Sequence, residues 1–185
     1  MLRVQLRHAD MEGPQRTVSL IASRLTDFRV PLEEAGKLVR EATRQRFESR
    51  GLGEWPPLAE STVTRKAVLN LSDPPRQLYA TGDLFESATS AHGPFSYTVL
   101  EPTFIVIGVD WSEGPWQIPV VLSEGTTDAG PNHNVRIPAR PIWPPSREMV
   151  NGVSRIIRNW VRASVEPLEL GGGGGHWTGA ETPPL

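Results

Sequence analysis

Cysteine is absent from this 185-residue chain, which excludes disulfide bonds, thiolate metal sites and cysteine nucleophiles at once. Long apolar runs are lacking too; none approaches the ~20 residues that a membrane-spanning helix needs. The first ten residues, MLRVQLRHAD, alternate apolar and polar side chains and contain no apolar signal-peptide core. A cytosolic origin and no membrane partner are therefore expected. Excess charge of one sign is missing as well: the formal net charge is -2, which gives no general pull toward nucleic acid or lipid.

Catalytic signatures are equally scarce. There is no Gly-x-Ser-x-Gly elbow. Five consecutive glycines at 171–175 are not followed by Lys-Ser or Lys-Thr, so they read as a linker and not as a phosphate loop. His8, His92, His133 and His176 each stand without a ligand-spaced partner. Glu33 and Glu34 fall in the first turn of a predicted helix, where the helix dipole accounts for paired carboxylates. No enzyme activity, metal or cofactor is expected on these grounds.

Punctuation is abundant. Eighteen Pro and 17 Gly, with six Trp, are more than a compact enzyme of this size needs, and they point to extended connections and arms. LRVQLR (2–7) has strand period, and after a turn-like MEGPQ the segment TVSLIASRLTDF reads as a short helix. The next helix is clearer: Pro31 suits its first turn, Leu32, Ala35, Val39 and Ala42 form a stripe extended by Leu38 and Phe47, and Gly51 and Gly53 stop it. A loop, GLGEWPPLAESTVTRK, follows, with a helical turn expected over Thr62–Lys66. In LYATGDLFES (78–87) a glycine separates two apolar clusters.

FSYTVL (95–100) and TFIVIGVD (103–110) read as a β-hairpin. WQIPVVL (116–122) reads as a third strand, at an edge because of Pro119. EGTTDAGPNHN is expected to be a loop and VRI (135–137) a short extended piece. The last helix should start at Ser146, a good N-cap, with Met149, Val153, Ile156 and Trp160 on its apolar stripe. The fold class is α+β: a small antiparallel sheet packed with an N-terminal helical hairpin and a C-terminal amphipathic helix. Residues 1–166 make the domain, and 167–185 a Gly/Pro-rich C-terminal arm.

Charge is segregated along the chain. Residues 101–135 hold five carboxylates (Glu101, Asp110, Glu113, Glu124, Asp128) and no Lys or Arg, whereas 136–162 hold six arginines against Glu148 alone. Complementary blocks on one chain are either two solvated faces or a head-to-tail contact between subunits, which closes into a ring. Trp55, Trp111, Trp116, Trp143 and Trp177 lie in predicted loops, strand ends or the arm; Trp is a favoured interface anchor, though a loop Trp also locks a loop onto its own core. RIPARPIWPPS (136–146) packs four prolines into eleven positions. Fixed φ and extended pre-proline residues make it a strut, and Arg140 is expected to reach a carboxylate of the acidic block.

The order of these motifs resembles the phage virion morphogenesis family, the tail-completion or neck proteins of Mu-like and related long-tailed phages. The residues that carry the resemblance are Gly53, Trp55, Pro57 and Leu58, then Thr62 or Thr64 with Lys66, then Leu78, Thr81, Gly82, Leu84 and Ser87. Ile-Pro-Ala-Arg-Pro, with Pro138, Arg140 and Pro141 ahead of Trp143, completes the series over residues 30–165. The family's Tyr-Ala…His-Gln-x-Gly segment appears here as QIPVVLSEGT, and the arm bearing Trp177 has no counterpart. The resemblance implies a structural virion protein at the head–tail junction, a homo-oligomeric ring of six subunits, without catalysis. Its partners would be neighbouring neck, connector or tail-tube proteins, with DNA passing through the ring. A tail terminator, a head-side connector or a DNA-contacting module are the alternative expectations.

Overall fold

A computed structural model describes residues 8–166 apart from Ser72, Pro115, Pro131, Pro144 and Pro145, with side chains from residue 15 onward. The strand expected over 2–7 and the arm with Trp177 lie outside the described residues. Helices α1 (His8–Thr26) and α2 (Arg29–Glu48) form the N-terminal hairpin, and α6 (Arg147–Val165) packs back on both. Between them lie α3 (Glu60–Val68), α4 (Asp83–Thr89) and the antiparallel hairpin β1 (Ser96–Leu100) and β2 (Ile105–Val109). Next come β3 (Ser112–Glu113), β4 (Trp116–Gln117), α5 (Ile118–Glu124), β5 (Thr126–Ala129) and β6 (Val135–Ile137). The architecture is α+β, as its alternating periods imply.

Five local expectations are corrected. MEGPQ is not a turn, since α1 runs through it. The apolar stripe of α2 is rotated: the side chains in the interior are Pro31, Ala35, Arg40, Thr43 and Phe47, with Leu32, Leu38, Val39 and Ala42 only half-buried. Because α2 starts at Arg29, Glu33 stands one turn in, pairing with Lys37 at 3.0 Å. WQIPVVL is a strand for two residues and then α5, because a proline without N–H fits a helix's first turn better than a ladder. The loop expected over 124–134 contains β5, which pairs with β6. The sheet is thus three separate two-stranded ribbons among the described residues.

The period of two in the hairpin decides its packing. Thr98, Ile105, Ile107 and Val109 share the face turned to α2 and α4, with Ile105 and Ile107 lying directly on Gly36 of α2. A Cβ there would come within 2.9 Å of Ile105 Cδ1, so glycine allows the close approach of helix and hairpin. Tyr97, Val99 and Val106 fall on the opposite, exposed face. Ser146 caps α6 as expected, its Oγ accepting from Met149 N at 3.0 Å. The core gathers around Phe47, Trp55, Leu84, Ala88, Val109 and Ile142.

Candidate functional site

The Trp-Pro-Pro loop (55–57) and the proline strut (138–143) are far apart in sequence and meet here. Proline-rich backbone offers carbonyls but few N–H groups, so neither segment can zip to the other as a ladder. Side chains supply the donors instead. Arg140, 4 % exposed, donates from Nε and Nη2 to Pro56 O, each at 3.1 Å, and from Nη2 to Pro57 O at 3.1 Å. In return Trp55 Nε1 donates to Pro141 O at 3.1 Å, and Arg46 Nε donates to the same oxygen at 2.7 Å. The two segments hold each other reciprocally.

Trp55 reaches this position over the turn that follows α2, where Gly51 has φ +72 and a Cβ would meet the indole at 2.3 Å. Its ring packs edge-on against Phe47, with centroids 5.4 Å apart. Arg140 therefore contradicts the expected pairing with a carboxylate: its partners are carbonyls within its own chain. Among the described residues no ion pair joins the acidic block to the arginines of 136–162. Arg147, Arg155, Arg158 and Arg162 are exposed on α6.

Two further cations repeat the device. Lys66, 8 % exposed, donates from Nζ to Arg76 O at 2.8 Å and Asp73 O at 3.3 Å, closing the turn after α3. Arg40 donates to Ser90 O and to Thr98 Oγ1, both at 2.7 Å, tying α2 to the hairpin and the end of α4. Burial holds all three below the ordinary values of their side chains, since desolvation disfavours the charged form. No sequence signal pointed to Arg40, because the apolar stripe read from the sequence leaves it off the buried face.

Eight of the residues nominated from the sequence line one cavity of about 680 Å³: Pro57, Leu58, Lys66, Thr81, Gly82, Leu84, Pro138 and Arg140. Gly82, with φ 103, sets the start of α4, and Thr81 Oγ1 donates to Asp83 Oδ2 at 2.6 Å. Trp55 and Pro141 belong to the clamp behind the cavity. Trp143 is half-buried and lines a different cavity, of about 620 Å³, beside α2 and the start of α6. Sequence reasoning missed Arg76 and Tyr79 and gave Trp111 and Arg136 no place beside the nominated residues, because only the folded chain brings these together. Among the described residues no group of three or more His, Asp or Glu side chains is arranged to hold a metal ion. No described helix is long and apolar enough to cross a membrane. Compared with known proteins, the chain matches no family model, no curated protein and no solved structure.

Proposed function

We propose that this chain is a structural subunit of a phage neck, forming a ring, six-membered by the resemblance, at the head–tail junction and not a catalyst. The observation that carries the reading is that one chain leaves two different apolar surfaces open. On the outer face of the β1–β2 hairpin and its turn, Tyr97, Val99, Phe104 and Val106 are 39–49 % exposed. On α1, Val18, Leu20 and Leu25 are exposed, with Ile21 alone buried among the side chains described there. Two unlike apolar surfaces on one molecule meet the requirement for a head-to-tail contact, the kind that closes into rings. The motifs behind the resemblance also converge in space, on the clamp and the cavity it supports.

In this reading the ring abuts neighbouring neck, connector or tail-tube proteins. The exposed arginines of α6 favour a second role for the same ring, a wall along which DNA passes; a tail terminator or head-side connector would use the same surfaces. Native mass and negative-stain imaging of the purified protein, alone and with tails, test the proposal. Rings and tail binding are expected, and Val99→Arg or Val106→Arg should abolish rings while leaving the melting temperature near that of the parent. A monomer at every concentration, without affinity for tails, would overturn it. The DNA-wall role predicts duplex binding that weakens steeply with salt.

A further inference from the structure

The 680 Å³ cavity has a chemical character that the neck reading does not use. Its volume falls within the range of about 300–1,000 Å³ that ligand sites occupy. Lys66, Arg76, Arg136 and Arg140 line it, and among the described residues no carboxylate does. Lys66 and Arg140 donate to carbonyls of their own chain. Arg76 does not. Its guanidinium is half-buried over two rings, 4.2 Å from the Tyr79 centroid and 5.4 Å from that of Phe85, and its side-chain donors meet no acceptor among the described residues. Stacking fixes the plane of a guanidinium and leaves its N–H edge for a planar acceptor, which a carboxylate meets with two bonds. Arg136 is exposed and also lacks a carboxylate partner among the described residues.

The rest of the lining selects among anionic partners. Trp111 already stacks on Phe95, with centroids 4.7 Å apart, and Tyr79 lies under Arg76, so neither ring stands as a free platform for a nucleobase. Leu58, Leu84 and Ile137 supply apolar walls. β6 borders the cavity along its whole length and pairs with β5 but with no second strand among the described residues. An edge strand beside apolar walls suits an extended peptide, whose main chain gives affinity and whose side chains give specificity. We propose that this cavity is a docking site for an extended, acidic and apolar segment of a different protein. One carboxylate of that segment meets the edge of Arg76, a second faces Arg136, and its aliphatic side chains reach Leu58 and Leu84. Charge complementarity chooses this occupant, and the inference is independent of the ring.

The test pans a display library of random dodecapeptides against the full chain. The most enriched sequence is then measured by fluorescence anisotropy as a labelled synthetic peptide. Enrichment of acidic residues together with aliphatic ones or proline is expected. Arg76→Gln should weaken that peptide about tenfold, the loss of a charge-assisted bond, and Arg76→Lys should recover part of it. Arg136→Gln, at an exposed site, should weaken it about two- to fivefold. All three variants should leave the native mass of any ring unchanged, which separates this outcome from that of the ring reading. Enriched peptides without acidic residues, or an affinity unchanged in both glutamine variants, would overturn the proposal. An oligothymidylate that competes with the peptide and loses binding in Arg76→Gln would overturn it by giving the cations to nucleic acid. Loss of rings in Arg76→Gln would overturn it by giving the cavity to a second copy.

Discussion

The junction of the Trp-Pro-Pro loop with the proline strut and the surface of α1 are built to opposite standards. At the junction Trp55, Arg140 and Ile142 are 5 %, 4 % and 0 % exposed, and donors cross in both directions. On α1, Val18 is 59 % exposed and the helix meets little besides α6. The first region is complete within one chain. The second leaves apolar area in water, area worth roughly 25 cal/mol per Å² to whatever covers it. The contrast teaches that the residues completing the interior and those leaving apolar area in water are different ones; in the proposed ring, stability and assembly would rest on separate residues.

The largest effect is expected from Trp55→Ala, which empties a buried site and removes the indole donor to Pro141. It should cost about 3–5 kcal/mol in chemical denaturation. Arg140→Met should follow at about 2–4 kcal/mol, because the carbonyls of Pro56 and Pro57 lose charge-assisted donors. Arg140→Lys should recover only part of that, since an ammonium lacks the guanidinium fork. Gly51→Ala places a Cβ at the indole and strains a positive φ, an expected loss of about 1–3 kcal/mol by the same measurement.

Val18→Ser on α1 should sharpen the contrast: less than about 0.5 kcal/mol in the denaturation of the single chain, yet fewer assembled particles by native mass. Smallest of all is a pH effect at the α1–α2 joint. Arg29 lies 2.6 Å from Asp27 and holds its carboxyl at about 2, below the ordinary 3.8. The depressed pKa makes this pair's contribution present above pH 4 and lost as pH falls toward 2, so Asp27→Asn should flatten only that acid limb. Both side chains are exposed, and salt should screen what remains.

Periodicity was a good guide wherever one face of an element is buried and the other is wet. The hairpin, α6 with its Ser146 cap and the existence of α2 follow from it. It misled where a proline had two meanings: Pro119 fits an edge strand or a first helical turn, and only the surrounding chain decides for the turn. It also misled on α2, where Arg40 and Thr43 occupy the buried face that apolar counting gave to Leu32 and Ala42. Eight of the nominated residues line the 680 Å³ cavity, and Trp55 and Pro141 join the clamp, but Arg140's partner was misread. Charge segregation in the sequence suggested a carboxylate, whereas the strut had already brought the carbonyls of Pro56 and Pro57 within reach. No linear pattern announces a carbonyl, since every residue has one.

That ubiquity has an evolutionary corollary. Pro56, Pro57 and Pro141 contribute main-chain oxygens to the junction, which any amino acid would provide, whereas Arg140 and Trp55 contribute side-chain groups that few others can mimic. Saturation mutagenesis should therefore find an imbalance across this one contact: permissive at the accepting positions wherever the backbone path survives, and intolerant at the donating ones. Drift could rewrite the prolines while the arginine and the tryptophan stay put.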